Sequence, residues 1–392
     1  MGIEELRAWW SHRQGLDGLP TGTTAAQVLA STGWARSVGG AAPYLTLFAR
    51  AGLGRAEVDA AVAAQEVHEL PSARGCTYVL PAADYAVGLT VGAGAPEGEL
   101  AAAVKHLDVT TGEIDKLCAA VLDLLGSAGE PLGPTAIRSA VGDAARSLGA
   151  AGKKRGTSST MPLALGLLQA RGLIRRVPVD GRLDQQRFGY VPWEPSPLAE
   201  PVDPDRALVE LARRYFTWAG PATIKHFRWF SGASAAAVKR AVAELELVPV
   251  GDDMFVPADL AAEFDAFERP AAPQYALVSW IDGIHLLHRD MGRLLDPADV
   301  GRPEPAGRRT LGELADPPCQ LIVDRGRIVG LWEFDPDAGE IVHQLFVPRD
   351  DELVAAIART ERFALDDLGD VRGMSLDSPA ARAPRLTALR AG

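Results

Sequence analysis

Residues 161–192, MPLALGLLQARGLIRRVPVDGRLDQQRFGYVP, change their periodicity partway along. The apolar residues up to Gln169 have helical spacing, which breaks at Arg171-Gly172. LIRRVPV then reads as a strand, Asp180-Gly181 as a turn, and RFGYVP as the returning strand. Helix, strand, turn, strand is therefore one unit, and the chain contains it three times. Residues 55–81, RAEVDAAVAAQEVHELPSARGCTYVLP, run from an Ala/Val helical pattern through VHEL, turn at Pro-Ser-Ala-Arg-Gly, and return as CTYVLP. Residues 234–257, SAAAVKRAVAELELVPVGDDMFVP, turn at Gly251-Asp252-Asp253. The three returning strands end YVLP, YVP and FVP.

Amphipathic helices precede each unit. They are IEELRAWWSHRQGL, AAQVLAST and PYLTLFARA before the first, TGEIDKLCAAVLDLLGSA and GPTAIRSAVGDAARSL before the second, and DRALVELARRYFTWA and PATIKHFRWFSG before the third. Helices followed by a hairpin are the order of a winged helix, whose last helix enters a groove while the hairpin touches the backbone. Two Pro-rich breaks, EPSPLAEPVDPD (194–205) and ERPAAPQ (268–274), divide the chain further. Beyond the second break, YALVSWID, CQLIVDRGRIVGLWEFD and EIVHQLFVP alternate like half-buried antiparallel strands turning at Arg325-Gly326 and Ala338-Gly339, and the helix DDELVAAIARTERFALDDL follows. The expected fold class is α+β, with three tandem winged helices at 1–105, 106–200 and 201–268. A C-terminal antiparallel β-rich domain with a terminal helix occupies 269–392.

At 392 residues, 47% of them hydrophobic and 23% charged, the chain has ordinary globular composition. No apolar run approaches the roughly 18 residues that cross a bilayer, and MGIEELRAWW lacks the features of a secretory leader, so a cytoplasmic protein is expected. Cys76, Cys118 and Cys319 are far apart and suggest neither a disulfide framework nor a zinc site. The net charge of −11 argues against indiscriminate coating of nucleic acid, but its distribution is uneven. Residues 151–190 hold eight cations against two acids, and residues 207–240 hold six against one. A basic face toward phosphate is compatible with an acidic back.

Five segments, WWSHRQGL, SARGCTYVLPAADY, RRYFTWAGPATIKHFRWFSG, SWIDGIHLLHRD and VDRGRIVGLWEFD, together resemble the AlkZ/YcaQ-type DNA glycosylases from about residue 3 to residue 380. The resemblance implies tandem winged helices around a basic channel for double-stranded, damaged DNA, and excision of bulky alkylated or crosslinked bases. It also implies a Gln-Φ-Gln or Gln-Φ-Asp catalytic motif in a segment like GVQAQ. Aligned here, that segment is Gly33-Trp34-Ala35-Arg36-Ser37, and both motif positions have changed.

Breaking an N-glycosidic bond builds positive charge on the sugar, so the site needs an anion or dipole and a placed water. Ser37 and Asp282 are the candidate catalytic residues. Candidate DNA contacts are Arg36, then Arg74, Gly75 and Thr77 at the first hairpin, and Lys153, Lys154 and Arg155 in a basic loop. Lys225 and Arg228 beside His226, Phe227 and Trp229, together with Arg289, complete the set. His285 and His288 form an HxxH without an obvious third ligand, so neither metal nor other cofactor is expected. A monomer is expected. Three functions stay open: a glycosylase with a remodelled site, a non-catalytic DNA-binding protein for lesion recognition or regulation, and a ligand- or protein-interaction module on the same scaffold.

Overall fold

In the computed structural model, which describes residues 2–185 and 187–392, the three repeats share one order of elements. The first has helix Ala25–Thr32, strand β1 (Ala35–Arg36), helices Ala42–Ala51 and Arg55–Ala63, and the hairpin β2 (Val67–Pro71) and β3 (Thr77–Pro81). Thr24 starts it by accepting the Gln27 amide, while the Gln27 side chain returns to the Thr24 amide. Gly52, at φ 68°, ends the second helix in the left-handed conformation that glycine adopts without steric cost. The second repeat has helices Thr111–Ser127, Pro134–Val141 and Met161–Ala170, then β4 (Ile174–Pro178) and β5 (Phe188–Pro192). The third has helix Pro204–Ala219, β6 (Ala222–Thr223), helices Ile224–Ser231 and Ala235–Ala243, then β7 (Leu247–Gly251) and β8 (Met254–Pro257).

The strand pairing repeats as well. In the first and third units the short strand lies beside the returning strand, giving the antiparallel orders β1-β3-β2 and β6-β8-β7. In the second a single bridge between Leu132 and Tyr190 stands where the short strand would be. A four-stranded antiparallel sheet follows, from β9 (Tyr275–Val278), β10 (Gln320–Asp324), β11 (Arg327–Asp335) and β12 (Glu340–Leu345) in the order β12-β11-β10-β9. Helices Asp351–Phe363 and Pro379–Ala391 come after it.

The cores show which parts act together. One face of the first hairpin (Val67, Val79) joins Leu45, the C-terminal sheet through Ile322 and Trp332, and helix Asp351–Phe363 through Leu353. Its other face (Leu70, Tyr78, Leu80) packs on Tyr215, Phe216 and Phe227 of the third unit. The N-terminal helix Ile3–Arg13 inserts Trp9 and Trp10 beside Val256 and Leu331, and their indole N–H groups donate to the carbonyls of Gly220 and Pro221 at 2.7 and 3.0 Å. A buried indole that keeps a partner contributes apolar area without an unpaired donor. The second unit fills a separate core with Ile114, Leu117, Ile137, Leu168 and Tyr190. The first unit, third unit and C-terminal sheet therefore form one body on which the second unit docks. No helix among the described residues is long and apolar enough to cross a membrane.

Candidate nucleic-acid interface and active-site loop

The loop that carries Ser37 is built on the edge strand of the first sheet. Gly33 takes φ 111° and lies close against Trp218, where a Cβ would meet the indole at 3.4 Å. Trp34 donates to Asp84 at 2.7 Å, and Ala35 and Arg36 then pair with Val79 and Tyr78. The Ser37 amide continues that ladder to the Thr77 carbonyl at 3.0 Å. Beyond it the loop is covered by the C-terminal segment: the Ala41 amide donates to the Arg372 carbonyl at 2.8 Å, and the Ser375 amide donates to the Val38 carbonyl at 3.0 Å.

The register decides what faces Ser37. Ala35 and Glu69 both pair with Val79, so these three side chains share one face of the sheet, and Ser37, two residues on from Ala35, points the same way. The Ser37 hydroxyl donates to Oε1 of Glu69, and both residues are buried, at 1% and 5% exposure. Arg176 of β4 stands with Nη1 3.7 Å from the other oxygen, Oε2. Burial pushes the Glu69 carboxyl above its ordinary range, while Arg176, the Ser37 hydroxyl and Arg36 pull against that shift. Sequence reasoning missed Glu69. Its signal was VHEL itself, where strand alternation puts Val67 and Glu69 on one side and so sends a carboxylate inward. Arg36 turns along the hairpin, donating to the Thr77 carbonyl at 2.7 Å and lying 5.2 Å from the centre of the Tyr78 ring.

At the tip of the same hairpin three expected contacts converge. Arg74, at φ 59°, and Gly75 are exposed, and a Cβ on Gly75 would fall 2.5 Å from Ala95. The Arg74 guanidinium lies 4.0 Å from the centre of the Trp229 ring, and Arg289 lies 4.5 Å from the same ring. Trp229 thus holds two cations, one from the hairpin and one from the C-terminal part. Arg289 is paired with Asp316 at 2.8 Å, and although burial works the other way, that pairing holds the Asp316 carboxyl below its ordinary range. Arg74 has no salt bridge among the described residues. Lys225 and Arg228 are exposed on the Trp229 helix, whose Phe227 faces the core. Thr77 is half-buried and contributes through its carbonyl. Lys153, Lys154 and Arg155 are exposed in the second unit. The expected loop there is instead a short helix, Gly149–Lys154, with Arg155 at its end.

Asp282 belongs to a different network. Its two oxygens accept from Arg50 at 2.7 and 2.8 Å, and they also take the Thr46 hydroxyl at 3.1 Å and the Ile284 amide at 3.1 Å. Arg50 donates to Gln14, whose amide nitrogen donates to the carbonyls of Thr32 and Trp218. The N-terminal segment, first unit, third unit and C-terminal part therefore meet at one buried cluster in which both Asp282 oxygens are satisfied. Ser37 bonds to Glu69, and Asp282 bonds to Arg50 and Thr46, so the two candidate catalytic residues lie in separate networks. His288 stacks on Trp10 at 4.0 Å, and the His285 ring meets the Ala315 carbonyl at 3.2 Å. Among the described residues no three His, Cys, Asp or Glu side chains converge as a metal site would require. A groove of about 670 Å³ lies along helices Pro204–Ala219 and Ala235–Ala243, where Arg240 already pairs with Asp205 and Arg213 with Glu210.

Comparison with known proteins brings these features under one description. A family model described as "DNA glycosylase AlkZ-like" matches residues 27–367. The chain is similar in structure to the Streptomyces sahachiroi DNA glycosylase AlkZ, with a TM-score of 0.69 and 21% identity over 92% of this chain and 97% of that one. No curated protein sequence matches it.

Proposed function

The chain belongs to the AlkZ-like DNA glycosylase family, and from that premise we propose that it binds damaged double-stranded DNA and hydrolyses the N-glycosidic bond of a bulky alkylated or crosslinked purine. The family match carries the reading. The three repeats are read as winged helices, supported by their common element order and by the matching strand orders of the first and third sheets. DNA meets the face that gathers Arg74, Trp229, Lys225 and Arg228, where exposed cations flank an aromatic ring. A base alkylated at ring nitrogen leaves as a neutral molecule, so the reaction requires a water and an anion more than a general acid.

The test is incubation of the protein with duplexes carrying single N3- or N7-alkylated purines. Free base is expected in solution, with strand breakage at the abasic site only after heat or alkali. Binding without base release across the panel would refute hydrolysis. It would favour the second reading, a non-catalytic lesion-recognition protein, for which the specific observation is Ala35: a methyl group can neither position water nor stabilise charge.

A further inference from the structure

Glu69 has the surroundings of a functional carboxylate more than of a structural one. An unpaired carboxylate oxygen inside the protein is costly and calls for a physical account. Oε1 accepts from Ser37, but Oε2 is buried without a hydrogen-bond partner. Arg176 is too far for one at 3.7 Å, and is engaged elsewhere. Its Nε donates to Gln169 at 2.8 Å, and its guanidinium lies 5.2 Å from the centre of the Phe188 ring. The carboxylate faces strand β4, where Arg175 and Arg176 are both partly exposed.

We infer that Glu69 is the general base of the reaction proposed above, on which this inference rests, with Ser37 as its positioning residue and Arg176 as a cover that DNA phosphate draws aside. Arg176 belongs to the unit with its own core, and phosphate offers it a bidentate, charge-assisted partner that Glu69 does not. With the cover moved, Oε2 takes a proton from a water molecule. The water oxygen bonds to the sugar C1′ as the C1′–N bond breaks. The bonding pair goes to the alkylated base, which leaves neutral, and the proton remains on Glu69 until solvent removes it. Ser37 holds Oε1 and so fixes the direction of Oε2.

The charges facing Glu69 are Arg36 on β1 and Arg176 on β4. His68 adjoins it on β2 but points to the opposite face, against Tyr85 and Trp193, and burial followed by Arg175 and Arg176 pushes it down to about 3, so it is neutral at the working pH. Burial raises the Glu69 carboxyl, which makes its anion the stronger base.

The experiment measures single-turnover base release by the full chain from a duplex with one N7-alkylguanine across a pH series that starts at the ordinary carboxylate range and runs upward, the direction in which burial moves Glu69. Glu69→Gln is expected to slow release about 100- to 10,000-fold, with duplex affinity and melting temperature retained. Ser37→Ala is expected to slow it about tenfold. It should also move the inflection of the pH profile upward, because the hydroxyl bond that favours the anion is gone. If the wild type releases base and both variants match it in rate and profile, the inference fails while the glycosylase reading stands. If Glu69→Gln loses rate only in proportion to lost stability or affinity, Glu69 is a tie between units and the inference fails. If the wild type releases nothing, the glycosylase reading falls first and this inference with it.

Discussion

Asp282, singled out in the sequence for its cluster of titratable neighbours, has no oxygen to spare: Arg50 spans both, and Thr46 and Ile284 add further donors. Removing one partner of a buried pair strands the other, at about 3–5 kcal/mol. Asp282→Ala should therefore lose that much in urea unfolding while base release per folded molecule stays unchanged. Lost turnover at retained stability would make Asp282 a reacting group instead. The buried imidazoles support a second prediction at this scale. Burial pushes His285 down to about 4 and His288 well below its ordinary 6.5. In the unfolded chain both take up protons near 6.5, so between that pH and about 4 the unfolded state binds more protons. Their contribution to stability is complete above 6.5 and is lost as pH falls through this window, with a slope of about 1.4 kcal/mol per pH unit for each histidine. His288→Phe, which keeps the ring contact with Trp10, should flatten the curve of unfolding free energy below pH 6.5, down to about 5, by one such increment and leave it unchanged above. An unchanged slope would mean that His288 is charged in the folded protein.

Elements with a period or a turn signal are legible in the sequence. The hairpins lie where Pro-Ser-Ala-Arg-Gly, Asp180-Gly181 and Gly251-Asp252-Asp253 place their turns, and the C-terminal strands turn at Arg325-Gly326 and Ala338-Gly339. Strands β1 and β6 are not legible, because two residues have no periodicity and exist only through pairing with β3 and β8. For the same reason the Ser37–Glu69 contact is hidden: it depends on which residues oppose Val79, a long-range register that local sequence does not state. Helix Gly149–Lys154 reads as a loop because two of its six residues are glycine, and glycine disfavours helix interiors. That short helix presents Lys153 and Lys154, with Arg155 following, and none of them has a salt bridge among the described residues. Replacing all three by alanine should leave the melting temperature unchanged and lower the slope of log affinity against log salt by about 0.9 for every phosphate that these cations neutralise. An unaltered slope in a duplex titration would place the second unit's basic end away from DNA.

For the molecule as a whole, the C-terminal helix Pro379–Ala391 acts as a clamp on both the sheet and the Ser37 loop. Arg385 bonds Glu333 at 2.7 Å and Asp377 at 2.8 Å, Arg382 bonds Asp370 at 2.7 Å and the Phe334 carbonyl at 3.3 Å, and Arg390 bonds Asp335 at 2.8 Å. Through Asp370 and Asp377 these arginines fix the intervening segment whose backbone bonds Val38 and Ala41. Leu386 and Leu389 add buried apolar area to the core around Trp9 and Trp10, worth about 1.5–3 kcal/mol each. Deleting residues 379–392 removes those side chains and leaves Glu333, which burial already pushes upward, without the arginine that opposes the shift. The body formed by the first unit, third unit and C-terminal sheet should then melt at a lower temperature. In hydrogen exchange, the Ala41 and Ser375 amides should lose protection first, because one side of each bond, Arg372 and Ser375, belongs to the released segment. The second unit has its own core, with no residue from the deleted helix, so amides in helix Thr111–Ser127 should keep their protection. Equal loss of protection in both places would show that the two bodies unfold as one. Unchanged protection at Ala41 would show that the loop holding Ser37 is kept in place without the clamp.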